Sequence, residues 1–465
     1  MKKLVVIPTD PIIAYEAKGL TKRFEYYNPN SYFDEVYIVS PFNEPTRVYD
    51  GLNIISIEIS NYVEVINNIK PDIIRVYSSF LVADLACYKR LPNIPLIISV
   101  HDTVGISPSL LYADLIICMS SIVADKVKKI GVHDKSIIIL PNRVDTDLFS
   151  KDKTNNILIR KHFPDGKMIL CIGRQSHQKN IDTVIKALTL LPSVYFCVFI
   201  GKGSDFYQEL ARDLNVSERC FWIDSIKNNQ LPMWYNACDC FCVPSRWEGF
   251  GVVFIEAAAC NVPIITSNIA PMNEYLTNNV NSILVDDYEN PARIADSILQ
   301  LCENQELSER LSYAARSVAL NFSNKLIDNN EARIYNDVLS NNILSKANYE
   351  YTDKESILYN LITKTGKNVL FGCSLDAIDK IKYLQSLGIE IDYFIDNNTS
   401  KFNNVILNKH IYPPSILKNK NDINAIILPN YHWLSMYEQL NNIGNFNLID
   451  YNYIKIKYPV QSYIY

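Results

Sequence analysis

Two glutamates with a spacing suited to joint chemistry lie in RWEGFGVVFIEAAACNVP, residues 246–263. Glu248 and Glu256 stand among apolar and small residues that otherwise have the composition of a buried core. Burying a carboxylate is unfavourable unless a cation or hydrogen-bond donors compensate it. Gly249 and Gly251 predict a loop, so that Glu248 precedes a helix and Glu256 lies about one turn inside it. The pair would bracket a helix N-terminus, which favours an anion such as phosphate, and could accept hydrogen bonds from hydroxyls on either side.

Glycines and two cations mark the same edge of one predicted sheet. The chain has 14 glycines, and several follow predicted strands and precede predicted helices: Gly173, Gly201, Gly203, Gly249 and Gly251. Glycine at such positions lets the backbone approach a ligand closely. Arg174 and Lys179, in CIGRQSHQKN, lie beside the first of these glycines. Two cations next to helix starts could hold a diphosphate, although each alone would more often be a solvated surface charge.

Strand-like and helix-like segments alternate along the chain and predict α/β domains. In residues 1–150, β-branched runs such as LVVIP, EVYIVS and LIISVHD alternate with longer helical stretches, which favours a parallel sheet covered by helices. The pattern pauses at PNRVDTDLFSKDKTNN and restarts over residues 151–342 with MILCIG, YFCVFIG and CFWIDS. Two such domains would leave a ligand cleft between the carboxyl ends of their strands. Residues 349–465 predict a third, smaller domain of the same kind, with the tail YNYIKIKYPVQSYIY as an edge strand.

The composition excludes several classes of protein. The net charge of −5 argues against nucleic acid as the main partner, because phosphate binders normally carry a basic excess. The 11 cysteines lack the spacing of a disulfide framework, and no signal peptide or span of eighteen apolar residues is found, so we expect a reduced, cytoplasmic protein. Cys238, Cys240 and Cys242 are interpreted as buried small hydrophobes rather than metal ligands. Peripheral contact with the inner face of a membrane and the oligomeric state stay open.

The motifs of the second domain resemble the donor half of the family-4 retaining glycosyltransferases, which have the GT-B fold. GRQSHQKN resembles their G-R-x₄-K stretch, and CVPSRWEGFGVVFIEAAACNVPIITSN resembles their E-x₇-E signature. LPMWYNACDCF and LPNRVDTDLF match in place and order, and the resemblance covers residues 70–340. It implies two Rossmann-like parallel-sheet domains facing a cleft, an acceptor-side domain followed by a donor-binding domain. The third unit resembles Rossmann-like modules appended to sugar-modifying enzymes.

The resemblance implies a role for each matched residue. Arg174 and Lys179 would hold the diphosphate of a nucleotide-sugar and stabilise the leaving group. Glu248 would contact hydroxyls of the transferred sugar, Glu256 those of the ribose, and His101 would lie near the donor sugar. The other donor-binding positions would bring backbone close to the base, phosphates or sugar: Gly173, Gly201, Gly203, Ile226, Phe250, Gly251 and Val252.

The implied reaction moves a sugar from a nucleotide diphosphate-sugar, UDP- or GDP-linked, to a glycan, lipid-linked or other acceptor with retention of the anomeric configuration. Neither a metal nor a cofactor is expected. Asp145 and Asp147 form a D-x-D, which in another transferase fold binds a divalent metal, but they fall in the linker. Two alternatives stay open. A non-hydrolysing nucleotide-sugar epimerase would need more cleft acids and histidines, and a non-catalytic nucleotide-sugar or glycan-binding protein would not need the full donor motif.

The sequence departs from the family pattern at several points. Arg143 replaces the glycine of the usual Pro-Asn-Gly linker, and Asp224 stands where glycine is common. The glycine-rich loop expected after the first strand is reduced to Gly19, so the acceptor side is poorly defined. In the third domain, residues 372–377 read GCSLDA rather than G-x-G-x-x-G, which predicts a module without cofactor despite Asp396 at the ribose-binding position.

Overall fold

The computed structural model describes residues 1–20, 22–152, 156–203, 205–340, 361–363, 365–373, 377–402, 404–428 and 433–457. The strands fall in three sheets. Those of the first sheet are β1 Lys3–Ile7, β2 Glu35–Ser40, β3 Arg47–Tyr49, β4 Leu52–Ser56, β5 Ile73–Tyr77, β6 Leu96–Val100, β7 Leu115–Cys118 and β8 Ile137–Ile139. Those of the second are β9 Lys167–Ile172, β10 Tyr195–Ile200, β11 Cys220–Ile223, β12 Cys240–Val243, β13 Ile264–Ser267 and β14 Ile283–Val285. Those of the third are β15 Lys367–Phe371, β16 Tyr393–Ile395, β17 Val405–Ile406, β18 Lys409–Tyr412, β19 Ile423–Ile427 and β20 Asn447–Asp450.

The helices cover both faces of these sheets. They are α1 Ile12–Ala17, α2 Arg23–Tyr27, α3 Tyr62–Ile69, α4 Val82–Tyr88, α5 Ser121–Lys129, α6 Asn156–Arg160, α7 Ile181–Leu188, α8 Asp205–Asp213, α9 Leu231–Ala237, α10 Val252–Ala259, α11 Met272–Tyr275, α12 Pro291–Glu303, α13 Gln305–Leu320, α14 Asn324–Leu339, α15 Ala377–Ser386, α16 Trp433–Ile443 and α17 Tyr451–Lys457. Within the described ranges, none of these helices combines the length and the apolar composition needed to cross a bilayer.

The first sheet has the order β3-β4-β2-β1-β5-β6-β7-β8 and is parallel except for β3, which runs antiparallel to β4. Val5 of β1 lies opposite Tyr37 on one side and Ile74 on the other, so β1 is central. The β-branched run of β5 is buried along its whole length, as expected for a parallel strand covered on both faces. Arg75 is the charged exception within that buried strand.

The second sheet is entirely parallel, with the order β11-β10-β9-β12-β13-β14. The chain reverses its direction of strand addition between β9 and β12, which pair through Leu170 and Phe241. Ligands of open α/β sheets bind outside the carboxyl ends of the strands at such a switch point. The segments that follow these strands begin at Gly173 and lead to Glu248, so the topology brings the two sequence motifs together.

The third sheet has the order β17-β18-β16-β15-β19-β20, with only β17 antiparallel to its neighbour. Apolar residues of this sheet and of the first belong to one continuous buried cluster. The Tyr88 hydroxyl of α4 donates to Asp450 Oδ2 at 2.9 Å, and Asn452 Nδ2 donates to Asp84 Oδ2 at 2.8 Å. The third domain is therefore packed directly onto the first.

The tail of the chain differs from the sequence-based expectation. Residues 451–457 form helix α17 rather than an edge strand, and β20 just before them is the edge of the sheet. Ile454 and Ile456 are buried, and the Tyr453 ring packs edge-on against Tyr88 with centroids 5.0 Å apart. Docking against α4 thus favours helix over the strand suggested by the alternating aromatic pattern. Residues 458–465 of that prediction lie outside the described residues.

Asp396 of the third domain is held by donors of the protein itself. Its Oδ2 accepts the backbone N–H of Cys373 at 2.7 Å and the Nζ of Lys401 at 3.0 Å, while Oδ1 accepts the N–H of Asn398 at 2.8 Å. These bonds lower the pKa of the carboxyl against the opposing effect of burial. A carboxylate engaged in this way has less capacity for ribose hydroxyls, and the absence of a cofactor from this domain stays a prediction. Residues 374–376 of the degenerate glycine motif lie outside the described residues.

The chain passes between the first two domains at two adjacent places. The N–H of Val144 donates to the carbonyl of Phe322 at 2.8 Å, and the N–H of Asn324 donates to the carbonyl of Val144 at 3.1 Å. Helix α14, which follows the second of these passages, lies on the first domain, where Asn30 Nδ2 donates to Asn329 Oδ1 at 2.7 Å. The second domain is therefore joined to the first by two connecting segments, one at Val144 and one at residues 322–324, which lie side by side.

Candidate active site in the interdomain cleft

Lys179 and Glu248 form a buried ion pair at the switch point of the second sheet. Lys179 Nζ binds Glu248 Oε1, and the two side chains are only 12% and 7% exposed. Lys179 comes from the segment after β9 and Glu248 from the segment after β12. The same Oε1 accepts the hydroxyl of Ser245 at 2.7 Å. The carboxylate that the sequence left without an evident partner is thus compensated by a cation and a hydroxyl.

Glu256 is buried with neutral partners. It lies one turn inside α10, is 6% exposed, and its Oε2 accepts the hydroxyl of Tyr235 at 2.9 Å. Burial raises the pKa of this carboxyl to about 7, and hydrogen bonds from Tyr235 and Asn228 only partly offset that effect. Near neutral pH the group is therefore divided between its protonated and ionised forms. The two glutamates of the motif therefore differ in their partners: Glu248 pairs with a cation and Glu256 with neutral hydrogen-bond donors.

Helix α10 begins at the position that the glycine spacing predicts. Gly251 precedes it with φ of +83°, in the left-handed region that favours glycine, and a Cβ there would lie 2.5 Å from the Phe254 ring. The Phe250 side chain is buried, and its carbonyl accepts the Tyr275 hydroxyl at 2.7 Å. Val252 is the first helical residue. N–H groups of a first helical turn lack helical partners and carry positive partial charge, which suits an anion.

The other glycines of the motif set also serve contacts between loops. A Cβ at Gly201 would overlap the carbonyl of Gly173, and one at Gly203 would overlap the side chain of Gln175. The N–H of Gln175 donates to the carbonyl of Lys202 at 2.9 Å. These glycines let the segments after β9 and β10 pack closely. From the sequence motif alone, this packing requirement cannot be distinguished from a requirement for ligand approach.

Arg174 and Asp102 bring the two domains into electrostatic contact near Glu248. Arg174 is exposed at the cleft edge of the second sheet. The pKa of Asp102 is raised, mainly by burial and also by the nearby carboxylate of Glu248. The N–H of Thr103 and the guanidinium of Arg174 act in the opposite direction. Cations and carboxylates of the cleft are therefore close enough to influence one another. Ile226 lies, half-buried, in the loop after β11, two strands away from the switch point.

His101 follows β6 of the first domain and faces the second. A Cβ at Gly249 would overlap the His101 carbonyl, and the Ser120 hydroxyl donates to the Gly249 carbonyl at 2.5 Å. The Nε2 atom of His101 is buried and has no hydrogen-bond partner within the described residues. Such atoms are rare in native proteins and call for a ligand or water. Burial lowers the pKa of this imidazole to about 4, so the ring is neutral at physiological pH.

A buried charge network behind His101 was missed by sequence reasoning. Glu331 of α14 binds Arg143 of the linker through Oε2, and its Oε1 accepts Arg75 Nη2 at 3.2 Å and the Tyr335 hydroxyl at 2.8 Å. Arg143 also pairs with Asp328. Arg143, which replaces the glycine of the usual Pro-Asn-Gly linker, is thus a buried cation with two carboxylate partners. The usable signal was Arg75 in the apolar strand IIRVY, whereas nothing in the sequence singled out Glu331.

The first aspartate of the D-x-D in the linker accepts backbone hydrogen bonds within a turn. Asp145 Oδ1 accepts the N–H groups of Asp147 at 3.1 Å and Leu148 at 3.0 Å, and Oδ2 lies 3.9 Å from Lys22 Nζ. Over the part of the chain that the structure describes, no three His, Cys, Asp or Glu side chains are grouped so as to hold a metal. Metal independence stays a prediction.

The alternating cysteines do not all share one strand face. Cys240 and Cys242 are buried on β12, whereas Cys238 precedes the strand and is partly exposed. All three are free thiols. Strand β12 begins later than the alternation suggests because the preceding helix α9 extends to Ala237.

The first two sheets, with their facing strand ends and the returning helix α14, define a GT-B architecture with an added Rossmann-like domain. This confirms the α/β fold class expected from the sequence. Solved structures support it at the level of fold. Sucrose-phosphate synthase from Thermosynechococcus elongatus matches 73% of this chain and 100% of its own, with a TM-score of 0.63 and 15% identity. Anabaena Alr3699/HepE in complex with UDP-glucose matches 73% and 100%, with a TM-score of 0.61 and 16% identity.

Sequence comparisons indicate the class of protein more specifically than the fold does. Residues 13–148 match the family model described as Glycosyltransferase Family 4, and residues 152–318 match the one described as Glycosyl transferases group 1. A D-inositol 3-phosphate glycosyltransferase of Xylanimonas cellulosilytica is 29% identical over 43% of this chain and 50% of its own. A GDP-mannose-dependent alpha-(1-6)-phosphatidylinositol monomannoside mannosyltransferase of Mycobacterium tuberculosis is 28% identical over 39% and 50%. The alignments span about half the length of these curated relatives. The matches support a glycosyltransferase of the GT-B type.

Proposed function

We propose that this chain transfers a sugar from a nucleotide diphosphate-sugar to a glycan, lipid-linked or other acceptor, with retention of the anomeric configuration and without a metal. The observation that carries the proposal is the meeting of Lys179 with Glu248 at the switch point, next to the start of α10 and Glu256. Such a site offers cations and helix N–H groups to a diphosphate, and carboxylates to hydroxyls on both sides of it.

The proposed binding mode assigns each group a task. Arg174 and Lys179, with the N–H groups at Gly251 and Val252, receive the diphosphate. Lys179 would divide its hydrogen bonds between phosphate oxygen and Glu248, which holds hydroxyls of the transferred sugar. Glu256 accepts ribose hydroxyls, and these donors favour its ionised form.

In the proposed reaction, the bond between the anomeric carbon and the leaving phosphate oxygen breaks as the acceptor oxygen bonds to that carbon from the same face. The acceptor proton passes to the departing phosphate. Charge develops on the diphosphate, so the main catalytic contribution is its stabilisation by Arg174, Lys179 and the start of α10. The neutral imidazole of His101 supplies a hydrogen-bonding group beside the sugar without adding charge.

The donor is proposed to carry UDP or GDP. Support comes from a relative named as GDP-mannose-dependent and from a similar fold solved with UDP-glucose. A cytoplasmic location, at the inner face of a membrane when the acceptor is lipid-linked, belongs to the same proposal.

A thermal-shift panel of UDP-, GDP-, CDP- and ADP-sugars tests the proposal, with EDTA present throughout. A ligand that binds only the folded state at 100 times its Kd adds about 2.7 kcal/mol of stability. We expect a shift with one nucleotide class in the wild type, a much smaller one in Glu256→Ala, and an unchanged one in the exposed-residue control Glu218→Ala. No shift with any nucleotide-sugar would contradict the proposal and favour a protein that has lost its donor site. The anomeric signal of the product in NMR then tests retention.

A further inference from the structure

A cavity of about 760 Å³ opens on the first-domain side of the cleft, next to the donor residues. His101, Val252 and Glu256 are among its lining residues. Residues of α1, α2, α14 and the interdomain linker also line it, including Tyr15, Asp147 and Asp328. If the donor binds as proposed above, the part of this cavity at His101 faces the transferred sugar, and an acceptor must enter through the remaining part. The inference below therefore rests on the proposed function.

The charged side chains that line the cavity are mostly acidic. Its carboxylates are Asp10, Glu25, Asp145, Asp147, Glu256 and Asp328, and its cations are Lys22, Arg23 and Arg143. The excess of negative charge persists even when Glu256 is protonated. Clefts lined by one sign of charge focus the field and select against ligands of the same sign.

Two of these cations are paired with carboxylates, and the third, Arg23, lies against tyrosine rings with its buried Nε unpaired within the described residues. Arg143 binds Asp328 and Glu331, and Lys22 Nζ lies 3.9 Å from Asp145. The Arg23 guanidinium lies 4.7 Å from the centre of one tyrosine ring, Tyr15, and 4.8 Å from that of Tyr26. A phosphate or carboxylate on an acceptor would have to displace a carboxylate from Lys22 or Arg143 or bind Arg23, and it would still face carboxylates that outnumber the lining cations.

One unpaired polar atom of the site, His101 Nε2, suits a hydroxyl. His101 Nε2 is buried without a partner in the described structure, and leaving such an atom unpaired is unfavourable. A sugar hydroxyl can donate or accept, so it can pair with either tautomer of a neutral imidazole and also with carboxylates. Asp147 and Glu25 are exposed at the cavity wall, where they can accept hydroxyl donors.

We propose that this cavity is the acceptor subsite and that it takes a sugar bearing hydroxyls but no negative charge at the reacting ring. Acceptor rings that carry phosphate, sulfate or a uronate carboxylate are rejected by the acidic lining.

The test measures acceptor binding and donor binding separately. Saturation-transfer NMR follows methyl hexosides against their 6-phosphates and the matching methyl uronates, with the wild type, Asp147→Lys, Glu25→Lys and Asp165→Lys. Asp165 is exposed and outside the cavity lining, so its variant makes the same charge change elsewhere. Nucleotide binding is followed in parallel by thermal shift.

We expect the neutral hexosides to bind about tenfold more tightly than their charged counterparts to the wild type. Asp147→Lys and Glu25→Lys should each narrow this ratio at least threefold, and Asp165→Lys should leave it unchanged. The inference would be overturned by any of three results. The phosphorylated sugars bind as tightly as the neutral hexosides or more tightly, the cavity variants leave the ratio of neutral to charged binding unchanged, or no sugar binds. Sugar binding with this selectivity but no nucleotide binding would instead contradict the proposed function alone.

Discussion

The guanidinium of Arg143 binds the carboxylate of Glu331, and this buried ion pair ties the interdomain linker to helix α14. Arg75 approaches the other oxygen of the same carboxylate at 3.2 Å. The two cations hold the pKa of Glu331 below its usual value although burial acts in the opposite direction. One carboxylate therefore compensates two buried cations, which makes it the critical member of the network.

Removing that carboxylate should destabilise the fold severely. Glu331→Gln leaves the buried Arg75 without its carboxylate partner and Arg143 with Asp328 alone. Breaking a buried pair in this way costs about 3–5 kcal/mol. Urea unfolding of the variant and the wild type measures the loss. The control is Glu209→Gln, which removes the exposed pair with Arg212 and should cost about 0–1 kcal/mol. Similar losses in the two variants would show that the network contributes nothing beyond surface pairing.

Replacing Lys179 should separate ligand binding from stability. Lys179→Ala leaves Glu248 buried without its cation, so we expect both a lower free energy of unfolding and nucleotide binding weakened at least about tenfold. In the double variant Lys179→Ala/Glu248→Ala the stability should largely return, while nucleotide binding should not. Lys186→Ala, which removes a partly exposed pair with Asp182, is the control. Recovery of nucleotide binding in the double variant would refute a role for Lys179 at the diphosphate.

The pKa of Glu256 predicts a stability that falls with rising pH. Its value is about 7 in the folded protein against 4.5 for the free side chain, so between these values the folded chain holds a proton that the unfolded chain has lost. Stability from this group is complete below pH 4.5 and is lost as pH rises through 7. The loss approaches about 3 kcal/mol. Unfolding measured from pH 5 to 8 should therefore decline more steeply in wild type than in Glu256→Gln, and parallel curves would contradict the assignment.

A side chain at Gly249 should disturb the contact between the first two domains. The added Cβ of Gly249→Ala would overlap the backbone carbonyl of His101, which cannot move independently of β6. We expect the proposed transferase activity to fall at least about tenfold, as misplacing groups by about 1 Å commonly does. Gly388→Ala serves as the control, because φ there is +79° but no atom lies within 4 Å. A Gly249→Ala enzyme no less active than this control would show that the contact is dispensable.

Much of this arrangement was accessible from the sequence because it depends on local chemistry. The run of short β-branched strands predicts the parallel sheets, and Gly251 predicts where α10 begins. The partners of Glu248 and Glu256 were not accessible, since Lys179 and Tyr235 reach them through the order of strands in the sheet. The partners of Arg143 could not be predicted from the sequence either. Its partners Asp328 and Glu331 lie in a helix that returns to the first domain, and no local pattern records that return.

The hydrogen bonds between Val144 and Phe322, and between Asn324 and Val144, have a mechanical consequence. The third domain and α14 are packed on the first domain, so the molecule consists of two bodies rather than three. Both covalent connections between those bodies run side by side at this single place. Any opening of the cleft would turn about that line as a one-axis hinge, and the described part of the third domain would move with the first domain.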